Sequence, residues 1–335
     1  MERYVVTRPY ETSNIGSNLA SLAGAVWLAQ RLGRTLVVDW RGLTQLADRS
    51  LNYFTEFFEA PGSILGVPVR YAPADGLPPY GQEWLEPAQA RALGADPGAA
   101  APDVVALRTY HGPDRIMAAS DADRFRLLRS FYRQLSLRPP LAAAVREWAD
   151  EHLDGAFVVG VNVRTGNGQY FNRGERYASR VDISLFADET RFLRLLERAC
   201  RRRLRGLPRP LRRAAVVFYA TDSAEMSRLL ARLPGAVTRR RTFPPPGTGD
   251  MYLFEGGAYT DRDSIGDTLV DMFLLARCDA LVYNTSLFNQ YARVVTGHFG
   301  GNEVHLETIG LRRRARLLGA AAERQLRRRV PALAR

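Results

Sequence analysis

The chain has 335 residues, 46% of them hydrophobic, and a formal net charge of +12. Its entire basic count is arginine, because the sequence contains no lysine, which excludes a Schiff-base lysine and a phosphate loop ending in Gly-Lys-Ser/Thr. The length exceeds one ordinary core and sets a prior of two domains of about 150 residues each.

The first fifty residues read as a strand–helix–strand unit: "RYVVTR", the loop "PYETSNIGS", a helix near Asn18 to Leu32, and the strand "TLVVDW". Leu19, Leu22, Ala23, Val26 and Ala29 recur at the spacing of one buried helical face, and Gly33 closes the helix. Aromatics cluster at Tyr53, Phe54, Phe57 and Phe58, and "ILGVPVRY" reads as a strand. Residues 73–103, rich in Pro, Gly and Ala, read as a loop-rich excursion. Two helices follow, "DADRFRLLRSFYRQL" and "LAAAVREWADEHL", separated by a Pro139-Pro140 stop, and a domain boundary is expected near Asp154-Gly155. Beyond it strands and helices alternate: "FVVGVNVR", a helix around Ser184 to Arg203, "AAVVFYATD", "SAEMSRLLARL", "DTLVDMFLLARC", "ALVY" and "LFNQYARVV". Such alternation implies a mainly parallel sheet covered on both faces. The closing stretch 311–335 reads as a basic helix on the protein surface or packed against it.

Cys200 and Cys278 build no disulfide framework, and four scattered histidines give no zinc spacing. "MERYVVTRPY" lacks the apolar core of a signal peptide, and nothing approaches 18 uninterrupted apolar residues, so the expectation is a cytoplasmic protein with no membrane span.

Ligands of open parallel sheets bind beyond the carboxyl ends of the strands. In the second half these ends carry Arg164 followed by "TGNG", "ATDS" at 220–223, and "YNTS" at 283–286. Gly166 and Gly168 around Asn167 allow close approach of a ligand, and Arg164 offers a planar fork of donors to phosphate, although taken alone a strand-ending arginine before a glycine turn is more often a surface ion pair. Asp222 and Ser223 have the grammar of a helix cap, as do Asn284, Thr285 and Ser286, and helix starts also favour anions. Asp271 lies among Leu269, Val270, Met272, Phe273, Leu274 and Leu275, so its carboxylate requires a partner: a structural arginine such as Arg277, or a donor edge such as a guanine base.

These stretches resemble the NodZ-like family of fucosyltransferases and, more distantly, the core α1,6-fucosyltransferases. "LGRTLVVDWRG", "VGVNVRTGNG", "ATDSAE" and "DMFLLARCDALV" carry the resemblance in collinear order. It implies a GT-B architecture, two Rossmann-like α/β domains with parallel sheets facing a cleft. Residues 1–154 would bind the acceptor and 155–310 a GDP-sugar, most simply GDP-fucose, with inversion at the anomeric carbon, no cofactor and no required metal. Carried onto this chain, Arg164 neutralises the diphosphate, Asp271 reads guanine, and Asp222, Thr285 and Ser286 line the donor site. Asn162, Ser223 and the Gly166-Asn167-Gly168 turn complete it. Asn14, Gly16, Asn18, Asp39, Trp40 and Tyr170 would face the acceptor, which is expected to be a carbohydrate or glycosylated small molecule.

The sequence departs from the family at Asn162, which stands where a histidine is usual, and at Thr165. An inverting transfer needs a base near the acceptor hydroxyl, for which Glu175 is the candidate, with Asp182 and Glu255 behind it. The "DRD" at 261–263 lacks a strand that would place it on a nucleotide as a metal ligand. Two other readings stay open. One is the same fold with a different GDP-sugar and a natural-product acceptor. The other is a non-catalytic nucleotide- or nucleic-acid-binding protein, disfavoured because the arginines spread through helices without a stacking platform.

Overall fold

The computed structural model describes residues 2–10, 13–43, 46–71, 84–98, 101–108, 111–165, 189–243, 262–284, 286–297 and 302–306. Strand β1 (Tyr4–Thr7) leads into α1 (Ile15–Leu32) and out to β2 (Thr35–Val38). Asn14 starts the helix by accepting the Ser17 N–H, and Gly33 ends it at φ 62°, a left-handed conformation that only glycine adopts without strain. The chain continues through α2 (Tyr53–Phe57), β3 (Ser63–Ile64), β4 (Val67–Tyr71), α3 (Pro87–Ala95) and β5 (Val104–Leu107). Helices α4 (Pro113–Ile116), α5 (Asp121–Tyr132) and α6 (Pro139–His152) close this half. Its sheet runs β3-β4-β2-β1-β5, parallel except for the β3–β4 pair.

The second half repeats the plan with β6 (Val158–Val163), α7 (Glu189–Leu204), α8 (Arg209–Arg213), β7 (Val216–Thr221) and α9 (Ala224–Leu230). It continues with β8 (Ala236–Val237), α10 (Arg262–Leu275), β9 (Ala280–Tyr283), α11 (Phe288–Thr296) and β10 (Glu303–His305). The order is β10-β9-β6-β7-β8, parallel throughout. Central strand β6 is buried along its whole length, which is why it reads as a nearly unbroken apolar run. On one face Val159, Val161 and Val163 pack with Phe192, Leu196, Met226 and Leu230 from α7 and α9. On the other, Phe218 and Ala220 join Leu269, Met272 and Leu275 of α10 in a core that continues into the first half. Each such side chain contributes roughly 1.5–3 kcal/mol by leaving water. Helix α6 packs on α10, and α1 and α5 pack on α11, so the halves are joined through side-chain packing.

Four expectations change. Pro139 and Pro140 begin α6 instead of stopping a helix, because prolines in a first turn forfeit no helical hydrogen bond. "ILGVPVRY" folds as the β3–β4 hairpin, turning at Leu65 and Gly66 with φ of 50° and 79°. The excursion at 73–103 contains α3, of which only Ala90 and Gly94 are buried, too few apolar contacts to leave a periodic trace. Strand β5 follows directly after that stretch, at residues 104–107, where no strand was expected. The basic segment 311–335 lies outside the described residues. Among the described residues no helix is long and apolar enough to cross a membrane.

Candidate functional site

The three strand ends singled out from the sequence meet at the carboxyl edge of the second sheet. Register places Asn162 beside Tyr283 on one side and Ala220 on the other, so Arg164, Asp222 and Asn284 follow on neighbouring strands. Asn284, fully buried, ties them together. Its Oδ1 accepts the Arg164 N–H at 2.9 Å, its Nδ2 donates to the Arg164 carbonyl at 2.7 Å, and its own carbonyl accepts from Asn289 Nδ2 at 3.0 Å. Across the strand, Asp222 Oδ1 accepts from the Thr165 N–H at 2.8 Å and the Thr165 hydroxyl at 3.0 Å. Its Oδ2 lies 3.6 Å from Arg164 Nε, and the Arg164 side chain remains 28% exposed. The backbone around Arg164 is thus fixed from both sides while its guanidinium keeps access to solvent. Ser223 is the cap of α9, accepting the Met226 N–H at 3.4 Å, and the Ser286 hydroxyl accepts the Phe288 N–H at 3.2 Å.

Asp271 has arginine partners, but not Arg277, which instead lies 3.9 Å from Asp150 at the surface. Arg241 donates to Asp271 Oδ2 at 2.8 Å and Arg239 stands 3.6 Å from Oδ1. Arg241 also donates to the Thr221 carbonyl and the Thr268 hydroxyl, each at 3.2 Å, and Arg239 pairs with Asp267 at 2.8 Å. Asp271 is 2% exposed, and burial pushes its carboxyl above the usual carboxylate range against the pull of Arg241 and Arg239. Neither arginine was legible as its partner, because both follow β8 some thirty residues away and only the tertiary fold brings them in.

Among the described residues, four buried polar atoms along this edge find no hydrogen-bond partner: Asn162 Oδ1, Thr221 Oγ1, Arg241 Nε and Asp271 Oδ1. Arg241 bonds both Thr221 and Asp271, and Asn162 Nδ2 donates to Ala220 next to Thr221, so the four adjoin one another. A buried polar atom without a partner costs about 1–3 kcal/mol, and such a concentration is unusual for a folded interior.

The opposite face is less as expected. Asn14 spends its side chain on the helix cap, and Asn18, 1% exposed, accepts the Ser13 hydroxyl at 2.7 Å inside the fold. Trp40 is fully buried, its ring edge-on to Phe54 at 5.4 Å, so no ring face is left for a sugar. Gly16 packs against the other half: a Cβ there would come within 2.7 Å of the Leu287 carbonyl carbon. This close approach sets the start of α1, which follows β1, against the Leu287–Phe288 backbone, which follows β9, so the carboxyl-end sides of both sheets meet here. Asp39, also fully buried, holds Arg8 through Nε at 2.8 Å and Arg41 through Nε at 2.7 Å. Both arginines border a cavity of about 630 Å³ shared with Tyr10, Arg49, Trp84 and Arg108. None of these six was named from the sequence, although Arg8 follows an apolar strand just as Arg164 does.

Gly166, Asn167, Gly168, Tyr170, Glu175, Asp182, Glu255 and Thr285 lie outside the described residues, as does Asp261 of the "DRD" stretch. Among the described residues no group of His, Cys, Asp and Glu side chains could hold a metal ion. Cys200 and Cys278 are buried free thiols, and burial pushes that of Cys200 up to about 12.

The family described as Nodulation protein Z (NodZ) matches residues 1–76 and 115–305. The chain is 28% identical over 320 residues to Nodulation protein Z of Bradyrhizobium diazoefficiens, covering 88% of this chain and 79% of that protein. Its structure is similar to that of NodZ alpha-1,6-fucosyltransferase co-crystallized with GDP, with TM-score 0.59, 25% identity, and 88% and 92% of the two chains covered. The fold alone extends to POFUT1 in complex with GDP-fucose, at TM-score 0.52 and 13% identity over 90% of this chain and 97% of the other.

Proposed function

The chain belongs to the NodZ family, and from that premise we propose that it is a GT-B fucosyltransferase that moves fucose from GDP-fucose to a hydroxyl of a glycan acceptor. The observation that supports this best is the convergence of three strand-end loops on Arg164, next to a row of unpartnered polar atoms. A nucleoside diphosphate has the matching features: a charged diphosphate for the guanidinium and a polar base edge for the row.

The division of labour follows the two sheets, with residues 1–154 receiving the acceptor and 155–310 the donor. Arg164 clamps the diphosphate, Asp222 and Asn284 hold that arginine in place, and Asp271 Oδ1 accepts from the guanine N–H edge. Ser223 and Ser286, with the Gly166-Asn167-Gly168 turn and Thr285, complete the donor site. In the reaction the acceptor oxygen bonds to the sugar's C1 as the C1–O bond to GDP breaks, with inversion. The departing diphosphate keeps the bonding electron pair and a base takes the hydroxyl proton; Glu175 is the residue proposed for it. Negative charge grows on the diphosphate as it leaves, and a preorganised guanidinium stabilises that charge more than it does the intact donor. No metal is needed in this scheme, and activity should survive EDTA.

Calorimetry with GDP, GDP-fucose and UDP tests the donor: GDP and GDP-fucose should bind with similar affinity and UDP at least about a hundredfold more weakly. A chain that does not bind GDP would overturn the proposal. A second reading keeps the fold but changes the donor sugar, and the particulars of Asn162 and Thr165 favour examining it. Thr165 is fully buried against Asp222, and Asn162 presents a carbonyl oxygen in a place where the family carries a histidine. Mass spectrometry of products from a panel of GDP-sugars separates the two.

A further inference from the structure

The cavity at the carboxyl edge of the first sheet has a composition that the donor chemistry does not use. Three adjacent strands of the order β2-β1-β5 each deliver an arginine to it: Arg41 beyond β2, Arg8 directly after β1 and Arg108 directly after β5. Arg49 adds a fourth guanidinium, and Tyr10 and Trp84 supply aromatic walls. These groups are held in place. Asp39, at 0% exposure, bonds Arg8 and Arg41 side by side, and its own N–H donates to the Thr7 carbonyl at 3.0 Å. Arg108 lies 4.2 Å above the Trp84 ring and 5.1 Å from that of Tyr10. A guanidinium held over a ring by its face keeps its N–H groups for a carboxylate or phosphate. Four guanidinium groups against the one buried carboxylate of Asp39 give the described lining a positive charge, which favours an anion.

We propose that this cavity is the acceptor subsite for an anionic group: the acceptor is a sugar or glycoside bearing a carboxylate or phosphate, which the arginines bind while its ring packs on Tyr10 and Trp84. This rests on the reading that the first half receives the acceptor. The contact of Gly16 with Leu287 supports the placement, since it sets this edge and that of Arg164 on one cleft.

The test uses the full chain saturated with GDP, so that the donor site is occupied, and measures binding of N-acetylglucosamine 6-phosphate, glucuronic acid, neutral N-acetylglucosamine and inorganic phosphate. At least one anionic sugar should bind about tenfold more tightly than both the neutral sugar and phosphate, and the preference should shrink with salt. The double variant Arg49→Gln with Arg108→Gln leaves the Asp39 pairs untouched and should abolish the preference. Equal binding of neutral and anionic sugars by the unaltered chain would overturn the inference without any variant. So would a preference that persists in the folded double variant, or one that disappears when GDP saturates the chain, which would give the cavity to the donor's phosphates. Failure of GDP itself to bind would strike the donor reading alone, provided the anionic sugar still binds.

Discussion

The two carboxyl edges solve the same problem in different ways. Each places arginines beyond apolar strands and steadies them with an aspartate. In the first half Asp39 is wholly buried and is committed to two guanidinium groups about one-third exposed. In the second, Asp222 is 19% exposed and divides its oxygens between one arginine and Thr165. The first arrangement makes a fixed cup of positive charge. The second sets one partly exposed arginine, Arg164, on a braced backbone, beside the buried Asp271–Arg241 cluster. Charge in numbers suits recognition of an anion that stays bound, whereas one well-aimed charge suits a leaving group whose charge grows during reaction.

That contrast can be broken by substitution. Arg164→Ala should have the largest effect, lowering kcat by about 10²–10³-fold as expected for loss of a transition-state donor. Steady-state kinetics would check it, and a loss confined to KM would assign Arg164 to binding only. Asp39→Asn should cost about 2–3 kcal/mol of folding stability by urea denaturation, somewhat below a fully buried pair because its arginines are partly exposed. It should leave GDP affinity unchanged, since Asp39 makes no contact with Arg164, Asp222 or Asn284 among the described residues. Asp222→Asn is milder: the amide oxygen still accepts from Thr165, so about tenfold in kcat/KM should be lost, with rescue by glutamate incomplete. The smallest effect lies behind β9, where Glu303 accepts from Arg293 Nε at 2.7 Å and the Tyr283 hydroxyl at 3.0 Å. Burial alone would raise the Glu303 carboxyl, but Arg293 and Tyr283 bring it below its ordinary value of 4.5. Its contribution is therefore complete above pH 4.5 and lost as pH falls through the lowered value. Glu303→Gln should cost about 1 kcal/mol at neutral pH and flatten the stability profile in that acid window.

Much of this was legible because parallel strands covered on both faces must be apolar without interruption. "VVGVNV", "VVFYAT" and "ALVY" announce themselves, and the polar residues directly after them are candidates by position. Arg164, Asp222 and Ser286 became candidates in that way. The same rule applies to Arg8, whereas Arg108 was hidden with its strand: β5 has only four residues in an alanine- and proline-rich stretch. Trp40 shows the converse limit. An aromatic after a strand can turn into the cleft or into the core, and the packing of Tyr53 and Phe54 against it, distant in sequence, decides for the core. For Asp271 its burial was readable from its apolar neighbours, but its arginines were not, since side-chain pairs across a long loop follow no periodicity.

The absent side chain of Gly16 has a mechanical consequence. With no room for one more carbon between α1 and the Leu287–Phe288 backbone, the start of that helix and this backbone sit in direct contact across the two halves. A methyl group at position 16 would wedge the seam open, so Gly16→Ala strains the joint between the halves without touching either carboxyl edge.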